Sequence, residues 1–465
     1  MRSANTVAKE DVFQKLPVPV ALRKMIVPAV LSQMIVLIYN MADMFFVGQT
    51  NTPLHGGGHV ADPARIRHHT LPSRAGGHRR RLPGLAPAGQ GREDEARRVS
   101  AFSLYLGLAA AALFSVGICV FMHPLLTLLG AGERTYEYAR QYAMCVIVFG
   151  GVPTVLSNVL SNLIRSIGMS RQASTGIILG GLLNIALDPL FMFVLLPKGS
   201  EVLGAGIATC LSNCVAFLYF AFILIRLRRD SVITFSPRVG LPKRENTAAV
   251  FAVGVPSALT SLLFDLDYVI IDKLMVSYHD VALAAIGIVL KVERFPLNVG
   301  VGICQGMMPL VAYNYSAGNA KRMRDTIRLS RLVGLVVAAV SILLYELFAV
   351  QFAGLFIGDA QTVALASQFL RVRVLATPLM FLCFFTVYLF QAFGKGRVSL
   401  FLGVSRWLAL NIPMLFLLNA IFGMYGIVWA QAAADFLAML LSFYVLKKHQ
   451  PIPAPRAVEA SASGE

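Results

Sequence analysis

The sequence predicts an all-α polytopic membrane protein made of two similar halves, and three observations carry that expectation. Of 465 residues, 57% are apolar and only 14% charged, against roughly 25% charge in ordinary soluble domains. Long apolar runs such as VGLVVAAVSILLYELFAV (333–350) and NIPMLFLLNAIFGMYGIVWAQAAA (411–434) recur along the chain, and about 20 such residues cross a bilayer's hydrocarbon. Basic residues gather in alternate breaks between the runs, the pattern that fixes orientation in a membrane. The mean hydropathy of +0.68 agrees.

Taken in order, the first span covers 24–48, after the cytoplasmic bases Lys9, Lys15, Arg23 and Lys24. The next legible span, 100–121, follows Arg92, Arg97 and Arg98 and leads to the base-poor HPLLTLLGAGE. Span 138–162 returns to Arg165 and Arg171, and 172–196 leads out to LPKGSEV. Span 203–225 comes back to RLRRDSVITFSPRVGLPKRE (226–245), a strongly basic cytoplasmic linker. In the second half, 248–275 leads to SYHD, 281–310 to NAKRMRD (319–325) and 328–350 to FIGDAQT. Span 369–392 then reaches GKGR (394–397), 398–420 reaches NAIFG, and 423–446 ends at Lys447 and Lys448. These are eleven spans, and the positive-inside rule places both termini in the cytoplasm.

The chain leaves the membrane after Gly48 and must be inside again by Arg92, so residues 51–90 ought to cross. They contain HGGGHVADPARIRHHTLPSRAGGHRRRLPG (55–84) instead, with five of the chain's eight histidines. Each charge inserted there costs about 3 kcal/mol, and unpaired backbone adds more. An internal repeat sharpens the anomaly. VPAVLSQ (27–33) matches VPSALTS (255–261), GREDEARRVSAFS (91–103) matches GNAKRMRDTIRLS (318–330), and SIGMSRQ (166–172) matches AFGKGRV (392–398). The second-half counterpart of the anomaly has the same length and is span-like, so a local reading-frame error accounts for the text. A His-rich metal- or acidic-lipid-binding loop is the rival reading.

Ionisable residues inside a span are functional candidates because burying them costs energy. Asp43 stands about five residues from the outer end of the first span, and Asp188, in NIALDPLF (184–191), sits in the outer half of the span 172–196. Asn184 lies one turn before Asp188 on the same face, and Pro189 withdraws a helix donor there. Thr209 and Asn158 can add oxygens from neighbouring helices. Two acids sharing one cavity either carry a proton or, with amide and hydroxyl oxygens, bind a hard cation such as Na⁺; the structural alternative is plain hydrogen bonding between helices. Tyr39 and Met41 flank Asp43 and suit a lipophilic cation. In the second half Asp265 and Glu293 are the acids expected to face a substrate cavity, although Lys291, Glu293 and Arg294 are equally able to neutralise one another across helices. Glu346 and Asp435 read as interfacial or packing groups.

The net charge of +17 reports orientation rather than nucleic-acid binding, and the six cysteines read as small apolar packing residues. Among them Cys210 and Cys214 share a helix face without a metal-site pattern. No phosphate loop, HExxH, CxxC or nucleophile elbow is present, so neither an ATP-driven pump nor an enzyme is expected, and no cofactor.

In order along the chain, NMADMFFVGQ (40–49), GREDEARR (91–98), NLIRSIGMSRQA (162–173), NIALDPLF (184–191), GAGIAT (204–209) and PLVAYNYSAGNAKRMR (309–324) resemble the multidrug and toxic compound extrusion (MATE) family, in its DNA-damage-inducible-F-like bacterial and archaeal branch. The resemblance implies twelve helices in two pseudo-symmetric six-helix lobes with an outward-opening cleft, and efflux of organic cations driven by Na⁺ or H⁺. The branch's coupling residues fall on Asp43, Asn184, Asp188 and Thr209, with Asn158 as a further fourth-helix member. Another branch's seventh-helix acid falls on Asp265, while its tenth-helix acid has no counterpart. The expected organisation is an N-terminal lobe (1–225, aberrant over 51–90), a linker (226–247), a C-terminal lobe (248–448) and a disordered tail (449–465). The expected setting is the bacterial or archaeal cytoplasmic membrane, with lipid and small organic cations as partners and no nucleic acid. Oligomeric state stays open. The competing readings are a lipid-linked precursor flippase of a related two-lobe family and a non-transporting remnant.

Overall fold

The computed structural model describes residues 11–48, 90–128, 132–227, 233–236 and 239–449. The aberrant stretch expected at 51–90 falls outside them up to residue 89, as does the expected tail from residue 450. Every regular element among the described residues is helical. Among the described residues, eight helices or helix runs are individually long and apolar enough to cross a membrane, and two bent pairs each supply one more. The 33-residue helix Arg244–Val276 covers the remaining expected span, 248–275.

The described residues fall into two compact units, one of residues 31–48 and 90–254, the other of 11–30 and 255–449. The first unit begins within α1 (Val18–Gly48). It continues with α2 (Gln90–Val120), α3 (Glu133–Ala143), α4 (Gly151–Ser166), α5 (Ser170–Pro189) and α6 (Glu201–Leu227). Between α3 and α4 the π-helical turns Met144–Phe149 lead into Gly150, and the span bends there by 46°. A second π-helical stretch, Leu190–Leu195, continues α5 past Pro189. Proline gives no N–H to the carbonyl four residues back, so the ladder cannot continue unchanged through it; wide π turns of this kind occur frequently at functional sites.

Small residues set how closely these helices approach, as in membrane packing generally. At Gly204 an added Cβ would stand 2.8 Å from the backbone oxygen of Phe191, so α6 and the π-helical stretch that follows α5 meet backbone to backbone. Gly180 likewise faces Ala216. Leu104, Leu160, Ile164, Ala173, Phe220 and Leu224 form a buried core beside this contact.

The second unit starts with the turn Asp11–Lys15 and the first part of α1. Its further helices are α7 (Arg244–Val276, from Val255 onward), α8 (Asp280–Val292), α9 (Arg294–Ser316) and α10 (Ala320–Gly354). They are followed by α11 (Ala360–Val374), α12 (Thr377–Ala392), α13 (Gly396–Val404), α14 (Ile412–Phe422) and α15 (Met424–Lys448). The expected span 369–392 is the bent pair α11–α12, which begins nine residues earlier, at Ala360, and turns by 48° at Leu375–Ala376. Thr377-Pro378 follows that break directly; proline is tolerated in the first turn of a new helix and stops the old one. Two buried clusters fill the unit, one around Cys304, Met307, Leu310 and Phe390, the other around Ile286, Ala349, Phe369 and Ile427.

Candidate functional site

Two contacts fix the register of α1 on α5. Ser174 Oγ donates to Ser32 Oγ at 3.4 Å, and Gly181 lies where a Cβ would meet Ile35 and the Tyr39 ring. Ser32 with Ser174 and Tyr39 with Gly181 are both 142 residues apart, so the two helices run parallel. That offset carries on to place Asp43 opposite residue 185, between Asn184 and Asp188. A bulkier residue at 181 would push α1 outward and break this alignment.

From the other side, α6 runs antiparallel to α5 and brings Thr209 to Asn184. The Asn184 Nδ2 group donates to Asp188 Oδ1 at 3.0 Å and to Thr209 Oγ1 at 3.2 Å. Its Oδ1, also buried, accepts no hydrogen bond among the described residues. Tyr142, from α3, donates its hydroxyl to Asp43 Oδ2 at 3.3 Å and packs beside Gly206, less than one turn from Thr209. Asp43, Tyr142, Asn184, Asp188 and Thr209 are all at most 2% exposed. The first unit thus buries two carboxylates, an amide and two hydroxyls within a few turns of one another, and oxygen is the donor type a hard cation takes. Among the described residues no three His, Cys, Asp or Glu side chains form a metal cluster, so any cation here would rely on the amide and hydroxyl oxygens as well.

The remaining sequence-derived candidates are placed differently. Asn158 is exposed and donates to the Thr154 carbonyl at 2.9 Å, because α4 buries the face carrying Val155, Val159 and Leu160. Tyr39 and Met41 are half-buried. Asp265 is half-buried, while Asp267 is buried and accepts from Asn411 Nδ2 at 2.6 Å.

Glu293 is held in a closed pair rather than presented to a cation: Arg373 of α11 reaches it with Nε at 2.8 Å and Nη2 at 2.9 Å. Sequence reasoning weighed only Lys291 and Arg294 as its neutralisers. The same guanidinium donates to Gln431 at 2.6 Å; Gln431 donates to Asp435 at 3.3 Å, and Asp435 accepts from Arg406 Nε at 2.7 Å. Arg406 also stacks on Trp407 and Phe384, at 4.1 and 4.6 Å from the ring centroids. Sequence reasoning missed Arg373, Arg406, Gln431 and Tyr142. The two arginines carry a signal, since a base inside an apolar span asks for a partner, whereas nothing distinguishes Tyr142 from the other aromatics.

Two units of apolar helices, one enclosing a buried acid–amide–hydroxyl cluster, define an integral membrane transporter. The chain belongs to the MATE family: the family model MatE matches residues 87–190 and 256–417. The multidrug export protein MepA of Staphylococcus saprophyticus is 30% identical over 365 residues, covering 78% of this chain and 79% of that one. MepA of Staphylococcus aureus is 26% identical over 464 residues, covering 96% and 98%. Among solved structures, a crystal structure of MATE in complex with MaL6 superposes with a TM-score of 0.82 at 21% identity, over 94% of this chain and 97% of that chain. A MOP superfamily transporter from Pyrococcus furiosus gives 0.79 at 21% identity, over 95% and 98%. At that identity these two matches establish the fold.

Proposed function

We propose that the protein exports lipophilic organic cations and drugs across the cytoplasmic membrane, with both termini inside, by antiport against Na⁺ or H⁺. The observation that carries the coupling is the register of α1 on α5, which sets Asp43 between the levels of Asn184 and Asp188 in a buried, oxygen-rich site. Drug and ion compete for this site: an ion arriving from outside releases the drug outward, and ion loss to the cytoplasm resets the carrier. The names of the staphylococcal relatives, multidrug export proteins, support the substrate class. The flippase reading asks for bases free to meet a pyrophosphate, and both Arg373 and Arg406 are already bound to carboxylates.

The test is uptake of a fluorescent lipophilic cation into vesicles under imposed Na⁺ and proton gradients. Parent chain and Asp43→Asn are compared, each also with residues 51–90 restored to an apolar helix. Gradient-driven transport lost in Asp43→Asn is expected. Undiminished transport in that variant refutes the coupling site. If only the restored chain transports, the segment as written makes a remnant.

A further inference from the structure

Positions 95 and 322 occupy the same place in the two repeats, on the motifs GREDEARRVSAFS and GNAKRMRDTIRLS. One is an acid and the other a base, yet each grips the backbone leading into the opening helix of a repeat. Glu95 of α2 accepts at Oε1 from the Lys243 backbone N–H at 2.8 Å and from Asn246 Nδ2 at 2.6 Å, where α7 starts. Arg322 of α10 donates from Nε to the Phe13 carbonyl at 2.9 Å and from Nη2 to the Val12 carbonyl at 3.2 Å, just ahead of α1. Lys243 and Lys15 themselves occupy matching repeat positions. The chemistry differs because the exposed backbone groups differ: a helix start offers unpaired N–H groups to an acid, and a finished turn offers carbonyls to a base.

Both grips are reinforced. Phe13 is 2% exposed and stacks on Tyr313 with centroids 5.0 Å apart, while Gln14 bonds to the Tyr313 hydroxyl. On the first-unit side the Tyr105 hydroxyl donates to the Phe235 carbonyl at 2.6 Å, and the Thr234 N–H to Ser100. Opposite side chains at one repeat address achieve the same restraint, which ordinary loop packing does not require.

We infer that Glu95 and Arg322 are paired positioning residues of the transport cycle, anchoring the cytoplasmic starts of α7 and α1. The inference rests on the export reading above. A helix fixed at its base holds what it carries further along, and for α1 that is Asp43. Release of either anchor changes ion coupling without touching the site.

The test uses the full-length chain with Arg322→Ala, Arg322→Lys, Glu95→Ala and Glu95→Gln. Trypsin cleavage after Lys15 is expected to accelerate about tenfold in Arg322→Ala only, and cleavage after Lys243 similarly in Glu95→Ala only. In vesicles, both Ala variants are expected to raise the half-maximal driving-ion concentration about fivefold, with maximal rate within about twofold. Arg322→Lys and Glu95→Gln keep a donor and an acceptor, and recover most of the effect. Unchanged cleavage, loosening of both segments by one variant, or parental ion dependence in the Ala variants overturns the inference. Run alongside, Asp43→Asn separates the two readings: if it transports like the parent the coupling site is wrong, while the cleavage result still decides the anchors.

Discussion

Replacing Arg406 by Met leaves Asp435 buried without its cation. The pair is 5% and 2% exposed at its side chains and closes at 2.7 Å. Removing one partner of such a pair typically costs about 3–5 kcal/mol, because the remaining charge has lost its compensation. Two stacked rings are lost as well, a desolvated cation–π contribution of about 2 kcal/mol. Methionine recovers part of that second loss through its own apolar and sulfur contacts. Set against this, Arg406 Nη1 and Nη2 are buried and donate to no hydrogen-bond partner among the described residues, so the native pair already carries an unmet desolvation cost. The expected net destabilisation of R406M is therefore about 3 kcal/mol, a fall in Tm of roughly 6–12 °C for a unit of about 200 residues. The double variant Arg406→Met with Asp435→Leu removes both charges and is expected to return to within about 1 kcal/mol of the parent. Thermal unfolding in detergent, with the four proteins of the cycle side by side, gives the coupling. A single variant that melts with the parent, or a double variant worse than either single, refutes the reasoning.

Three other expectations follow from the same geometry. Asn184→Ala removes both amide bonds to Asp188 and Thr209; about 1–3 kcal/mol of stability is lost, and the driving-ion concentration for half-maximal efflux rises, both readable in vesicles and by thermal melts. Gly181→Ala places a methyl against Ile35 and Tyr39, so a cost of about 1–3 kcal/mol should accompany weakened ion coupling; parental transport with parental Tm would contradict the α1–α5 register. Asp359 Oδ2 accepts from the Thr362 N–H at 2.8 Å and its hydroxyl at 2.6 Å, and these bonds hold its carboxyl below the ordinary carboxylate value. Its cap is thus fully in place above that ordinary value and is lost as pH falls through the lowered one; amide exchange at Thr362 should accelerate over that acid window, and in Asp359→Ala it should be fast at every pH tested.

The spans were legible because each is a run of apolar residues bounded by charge, a signal local to the chain. Asp43, Asn184, Asp188 and Thr209 were legible for a related reason, as rare polar residues whose burial demands partners. What was not legible depends on which helix faces which. Arg373 and Glu293 are 80 residues apart, Arg406 and Asp435 29 apart, and no periodicity within one helix predicts either meeting. Asn158 illustrates the converse: its residue type fitted the site, but the buried face of α4 is set by Val155, Val159 and Leu160 on the other side. The 46° and 48° bends were equally silent, since an apolar run reads the same straight or broken.

Those bends also correspond across the repeat. The break at Gly150 and the break at Leu375–Ala376 lie at matching addresses in the two copies, although GGVP and RVLATP share only the proline. One kink geometry is thus reached from two spellings, so at these addresses the shape constrains residue identity only loosely.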